Sequence, residues 1–133
     1  MYRILAIDYG IKRTGIAITD PYQIISTGVE TVYTENIMKC LKHYIKHENI
    51  KLLVIGETTK YYLETKIKIL INKLKKEFPN IVIKRIDERL TSKISINTIQ
   101  EAKLKKKYRK KKLIIDKISA TIILQSYLEK TKL

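Results

Sequence analysis

Three acidic residues in this chain stand where a carboxylate is hard to explain as surface decoration. Asp8 follows directly on Arg3 to Ile7, R-I-L-A-I, an apolar run of the kind a buried strand shows. Glu88 lies in I-D-E-R-L-T-S at 86–92, just past another such run. Asp116 falls in a C-terminal helical pattern, on one face with Leu113, Ala120, Ile123 and Tyr127. Lys117, Thr121 and Gln125 form a separate polar stripe, so Asp116 is expected to point toward the body of the protein. A charge at the end of a buried strand is costly unless something compensates it. Carboxylates from two strand ends and a facing helix could hold two hard divalent cations about 3.5–4 Å apart. Such a site activates a water and steadies the leaving oxygen in phosphodiester cleavage. The plainer alternatives are that Asp8 pairs with Arg13 or Arg89, and that Asp116 favours a helix N-terminus. For three acids together in a basic chain, the site is the favoured reading. Glu57, at a further strand end, is an alternative to Glu88 as the second ligand. Asp87 is turned away from Glu88 by strand alternation.

The elements that must position these acids can be read from periodicity. Three strands are expected first, at about Arg3–Asp8, Thr14–Thr19 and Ile24–Val32, with a turn at Asp20-Pro21. Their short connections imply antiparallel hairpins. Ile37, Leu41, Tyr44 and Ile45 then repeat at helical spacing, with Thr34 as the expected N-cap. Lys51–Gly56 reads as a fourth, buried strand. Leu63, Ile67, Leu70, Ile71, Leu74 and Phe78 form a helical stripe closed by Pro79-Asn80. Ile81–Asp87 is the fifth strand. A short helix capped by Thr91 or Ser92 should reach about Leu104, and a final helix should run from about Leu113 to Glu129. The order β-β-β-α-β-α-β-α-α, with right-handed crossovers, predicts an α/β fold. Its mixed five-stranded sheet has three antiparallel strands, then parallel strands, with helices covering both faces. Residues 1–133 are expected to form a single domain.

Charge points to the partner. There are 28 Lys and Arg against 13 Asp and Glu, a net charge of +15, which favours a polyanion such as nucleic acid. Lysine supplies most of that charge and isoleucine is abundant, so an AT-rich genome could contribute to the excess. Lys103 to Lys112 reads K-L-K-K-K-Y-R-K-K-K. Within it Lys106, Arg109 and Lys110 could grip phosphates, and Tyr108 could stack on a base. The alternative is a solvated loop. Lys12, Arg13 and Arg89 each lie within a few residues of a proposed ligand, where they could contact phosphate or neutralise an acid. The single cysteine, Cys40, excludes an intrachain disulfide and suits a reducing compartment. Cys40, His43 and His47 share one predicted helix, but too few further ligands exist for a tetrahedral zinc site. No apolar run approaches a membrane span, and the N-terminus leads straight into the first strand, so a cytoplasmic protein with no membrane partner is expected.

These motifs resemble a known family. D-Y-G-I-K-R-T-G-I-A-I-T-D at Asp8–Asp20, D-E-R-L-T-S at Asp87–Ser92 and R-K-K-K-L-I-I-D-K-I-S-A-T-I-I-L-Q-S-Y-L at Arg109–Leu128 are similar, in order, to the hallmarks of the YqgF/RuvX family of pre-16S rRNA nucleases. The resemblance implies an RNase H-like fold akin to RuvC-type Holliday junction resolvases. It also implies Mg²⁺ or Mn²⁺ dependence and a role in maturing the 5′ end of 16S rRNA. By motif match, Asp8, Glu88 and Asp116 fall on the family's catalytic acids. One stretch departs: E-T-T-K-Y-Y-L-E-T-K follows Gly56, where the family commonly has a Leu-Pro segment and a glycine-containing loop.

Three functions compete on this reading. The first is a metal-dependent nuclease acting on structured RNA, with branched DNA as the other substrate. The second is a phosphate-handling enzyme of the actin or hexokinase type, disfavoured because those folds duplicate this core. The third is a non-catalytic RNA-binding factor in ribosome assembly. A monomer or weak homodimer is expected, with no interface identifiable.

Overall fold

The computed structural model of the chain describes residues 1–87 and 110–131, the second stretch with its side chains from 116 onward. Strands β1 (Arg3–Asp8), β2 (Arg13–Thr19) and β3 (Ser26–Tyr33) come first. A 3₁₀ turn (Thr34–Asn36) leads into α1 (Ile37–His47). Then follow β4 (Ile50–Glu57), α2 (Tyr61–Glu77), β5 (Val82–Asp87) and α3 (Lys110–Thr131). The sheet order is β3-β2-β1-β4-β5. β1 pairs antiparallel with β2, and β2 with β3, while β4 runs parallel to β1 and β5 parallel to β4. This is the expected mixed sheet with helices on both faces. The helix expected between Thr91 and Leu104 lies outside the described residues.

Strand alternation sorts the core into two layers. Leu5, Ile7, Ile16, Leu53 and Ile55 pack under α1 and α2 with Leu41, Ile67, Leu70 and Leu74. Ile4, Ala6, Ala17, Leu52, Val54 and Ile86 pack under α3 with Ala120, Ile123, Leu124 and Leu128. The central strands are apolar on both faces, as strands covered on two sides must be. On the α3 side Ala6 and Ala17 leave room for α3 to come close to β1 and β2.

That approach is extreme at two glycines. A Cβ on Gly15 would stand 1.9 Å from the Asp116 carbonyl oxygen and 2.4 Å from its carbon. A Cβ on Gly28 would stand 2.9 Å from Thr121 Oγ1 and 3.2 Å from the Lys117 carbonyl oxygen. Thr121 thus packs against β3, and its main-chain oxygen accepts a bond from Ser26 Oγ at 3.0 Å. The polar stripe that the spacing set apart is therefore half-buried at Lys117 and Thr121 and exposed at Gln125.

Two boundaries differ from expectation for local reasons. β3 begins at Ser26, not Ile24, because the Asp20 carboxylate accepts the backbone N–H groups of Tyr22 (3.0 Å), Ile24 (2.8 Å) and Ile25 (2.7 Å). The bond from Ile25 is the chief cause holding the Asp20 carboxyl below its usual range. The captured loop leaves Ile24 and Ile25 exposed. Thr34 is not a helix cap. It is buried, its hydroxyl donates to the Gly10 carbonyl at 2.7 Å and lies 2.9 Å from Thr14 Oγ1, and α1 starts three residues later.

At the other end of the site's edge, Arg85 of β5 ties β4 to α2. Its Nε donates to the Ile55 carbonyl (3.1 Å), and Nη2 to the Gly56 carbonyl (3.0 Å) and to Glu64 Oε1 (2.5 Å). Nη1 donates to Glu64 Oε2 at 3.2 Å. Glu64 sits in the first turn of α2, where a negative charge suits the helix dipole, and also accepts the Thr58 N–H at 2.9 Å. This two-pronged pair fixes the C-terminal end of β4, adjacent to β1 and its Asp8.

Two outcomes follow from this packing. Gly15→Ala should destabilise the protein by about 3 kcal/mol, the upper end of overpacking costs, because main chain must move. Gly28→Ala should cost less, since its nearest contact is a side chain; chemical denaturation of both variants checks the order. Arg85 is the first cause holding Glu64 below its usual value of 4.5. Since folding lowers that pKa, the pair's stabilisation is complete above about pH 4.5 and disappears as pH falls through the folded value. Glu64→Gln should therefore be less stable than wild type at pH 7 by about 1.5 kcal/mol, the lower end for a charged hydrogen bond. The difference should close on acidification, as read from denaturation midpoints across pH.

Candidate active site

Asp8 ends β1 and is half-buried. Its partner across the antiparallel ladder is Gly15, and partners in such a ladder project to the same face. Alternation from Ile4 and Ala6 sets that face as the one under α3. Gly15 is also the residue whose missing side chain admits the Asp116 main chain. One glycine thus brings the two acids together: it is Asp8's neighbour in the sheet and the surface on which the Asp116 turn rests.

Arg13 opens β2 on the same face, two residues before Gly15. Its Nε lies 3.6 Å from Asp116 Oδ2, with the two side chains 21% and 24% exposed. The separation exceeds a hydrogen bond, so the contact is Coulombic. A cationic partner for an acid is therefore observed between Arg13 and Asp116. Lys12 is exposed beside it. The connection carrying both is tight, since a Cβ on Gly10 would stand 2.3 Å from the Arg13 carbonyl oxygen. Thr34 clamps it, its hydroxyl donating to the Gly10 carbonyl and accepting from the Thr14 hydroxyl, and its N–H donating to the Lys12 carbonyl at 2.9 Å. Thr34 is a positioning residue that sequence reasoning read as a helix cap. Arg85 was likewise missed, because a polar residue in an edge strand gives no sign of what it will reach.

The second ligand position is divided. Glu57 is exposed and paired in register with Asp87. Alternation from Leu53 and Ile55 turns Glu57 to the face of α1 and α2, away from Asp8. Ile86 packs under α3, so Asp87 is turned to that opposite face too. Glu88, Arg89, Lys106, Tyr108 and Arg109 lie outside the described residues, and Lys110 is described as the first residue of α3.

The donors that are present suit a hard divalent cation. They are carboxylate oxygens, one from a strand end and one from a helix, held by main-chain contacts. Among the described residues, no group of three potential ligands converges. Cys40 offers no soft alternative there. It lies on α1, and burial first, then the charge of Glu30, pushes its thiol up to about 11. Glu30 is engaged by Tyr44, whose hydroxyl donates to Oε2. Among the described residues, no helix is long and apolar enough to cross a membrane.

This architecture and these motifs have counterparts in known proteins. The family model RuvX, described as Holliday junction resolvase, matches residues 2–130. A protein of Flavobacterium psychrophilum named "Putative pre-16S rRNA nuclease" is 46% identical over 133 residues, covering 96% of this chain and 97% of that protein. One of Bacteroides fragilis with the same name is 44% identical over 138 residues, covering 100% of both. Among solved structures, T. thermophilus RuvC in complex with Holliday junction substrate superposes with a TM-score of 0.61 at 13% identity, covering 98% of this chain and 96% of that one. That likeness shows the fold, a resolvase-like mixed sheet as the motifs implied. With its matching family model, its full-length relatives and its Asp8 motif seated where β1, β2 and α3 meet, the chain belongs to the RuvX family of resolvase-like nucleases, hydrolases of phosphodiester bonds.

Proposed function

We propose that this protein is a divalent-metal-dependent nuclease that cuts structured RNA, with the 5′ region of a 16S rRNA precursor as its substrate. The observation that carries the reading is the convergence of Asp8 and Asp116 on one face of the sheet through Gly15. The names of the full-length relatives support the substrate class.

Asp8, Asp116 and Glu88 are the proposed ligands of Mg²⁺ or Mn²⁺. When bound, that cation would supply charge stabilisation for the attacked phosphodiester and activation of a water. Glu88 is preferred to Glu57 because alternation from Leu53 and Ile55 turns Glu57 to the face of α1 and α2, away from Asp8, whereas Glu88 falls on the motif of the family's catalytic acid. The chain's own contribution is positioning. The ladder fixes Asp8, the helix contact fixes Asp116, and the Thr34 clamp holds Lys12 and Arg13 at the rim, where cations can orient the flanking phosphates. Arg89, Lys106, Arg109 and Lys110 are proposed as further phosphate contacts, and Tyr108 as a stacking platform. The high net positive charge suits such a substrate.

The test is a gel of end-labelled precursor RNA beside a four-way DNA junction, with Mg²⁺ or Mn²⁺ and with EDTA. Metal-dependent cutting of the RNA is expected, and cutting of the junction alone would replace the RNA reading with a resolvase. Asp8→Asn, Asp116→Asn and Glu88→Gln should each lower cleavage by about 100-fold or more, since loss of even an outer partner of a metal ligand costs 10–100-fold. Glu57→Gln should leave it nearly intact; loss in Glu57→Gln with retention in Glu88→Gln would reverse the assignment. Replacing Lys105, Lys106, Lys110 and Lys111 with Gln should weaken RNA binding for every sequence tried. It should also flatten the slope of log K against log salt by ~0.7–0.9 per lost phosphate contact. An unchanged slope would make the tract a solvated one.

A further inference from the structure

The Arg13 side chain is placed in a way that phosphate binding alone does not explain. Its Nε is buried and makes no hydrogen bond among the described residues. A guanidinium nitrogen withdrawn from water and left without an acceptor is unfavourable, so something must offset it. The nearby opposite charge is Asp116 Oδ2, 3.6 Å away, close enough for attraction and too far for a bond. Arg13 shares the α3 face with Asp8, because alternation along β2 puts residues 13, 15 and 17 on one side. A fixed positive charge therefore stands among the carboxylates that the proposed cation must reach.

We infer that Arg13 is a built-in counter-ion for Asp116 that competes with the divalent cation, so that loading the metal and releasing the guanidinium are coupled. The inference rests on the nuclease reading above. Its physical basis is that both cations satisfy the same carboxylate and repel each other. In the metal-free protein the guanidinium relieves the mutual repulsion of the acids. On loading it is displaced toward solvent, and the missing hydrogen bond at Nε makes that displacement cheap. A released guanidinium at the rim presents a planar fork matched to a phosphate. Arg13 then acts as a positioning residue in two states, on Asp116 before loading and on the substrate after it.

The coupling predicts effects of opposite sign from one substitution. Mn²⁺ titrated calorimetrically into Arg13→Gln should bind about tenfold tighter than into wild type, ~1.4 kcal/mol. Thermal melting in EDTA should show the same variant to be less stable, because the carboxylates lose their counter-ion. Arg13→Lys, which keeps the charge, should bind Mn²⁺ close to the wild-type affinity. Adding Asp116→Asn to Arg13→Gln should restore the melting temperature in EDTA, and this readout holds even if the single variant is too unstable to titrate. Unchanged or weaker Mn²⁺ binding in Arg13→Gln would overturn the inference while leaving the nuclease reading standing. A double variant no more stable than Arg13→Gln alone would overturn it as well. Absence of Mn²⁺ binding to wild type would overturn both, and that outcome is distinct from the other two.

Discussion

The structure depends on a contact between main chains. α3 comes closest to the sheet where β2 and β3 carry no side chain, at Gly15 and Gly28. Main-chain atoms cannot rotate away as a side chain can, so this contact sets the height of the helix over the sheet. It also sets which turn of the helix stands over which strand. Because Gly15 is Asp8's partner in the ladder, fixing the helix there fixes the pair of acids. The small residues Ala6, Ala17 and Ala120 continue the close approach away from the site, and Ile123, Leu124 and Leu128 supply the apolar burial that holds it.

Electrostatics then work against the packing and must be balanced locally. Bringing carboxylates together at the end of buried strands raises their energy. Among the described residues, two arginines stand against acids here. Arg13 lies by Asp116 at a loose, Coulombic distance, and Arg85 holds Glu64 and the end of β4 with directed hydrogen bonds. The two contacts differ in kind. The Arg85 pair is structural, and among the described residues the Arg13 contact leaves Nε without a hydrogen bond. A planar fork with a permanent charge serves both purposes, whereas an ammonium group would serve neither as well. The lysines of α1 and α2 stay largely on exposed helix faces, where they raise the field around the molecule, and Lys42 of α1 also pairs with Glu77 of α2 at 2.9 Å.

Much of the framework was legible in advance because it rests on local periodicity. Alternation and helical spacing located β1, β2, β4, β5, α1, α2 and α3 to within a few residues, and short connections implied the antiparallel start of the sheet. Ile24 and Ile25 were misread as strand, because apolar β-branched residues look like strand until a carboxylate captures their N–H groups. Asp20 does so, and its reach to Ile25 is a loop geometry that propensity does not carry. Thr34 was misread for a related reason. A threonine before a helical stripe resembles a cap, but its hydroxyl is taken by the Gly10 carbonyl, a partner far back in the chain.

The candidate site divides along the same line. The sequence by itself determined which residues have the right chemistry: an acid closing a buried strand, an acid on the inward face of the last helix, and cations clustered near both. It determined as well that Asp87 points away from its neighbours in sequence, since alternation is a property of one strand. Only the tertiary structure decided that Asp8 and Asp116 share one face, that Glu57 is turned to the other, and that Arg13 reaches Asp116. Those facts depend on strand order and on the height of a helix over a sheet. Both are set by contacts between residues far apart in the chain, and local preferences carry no information about which distant glycine a helix will settle on.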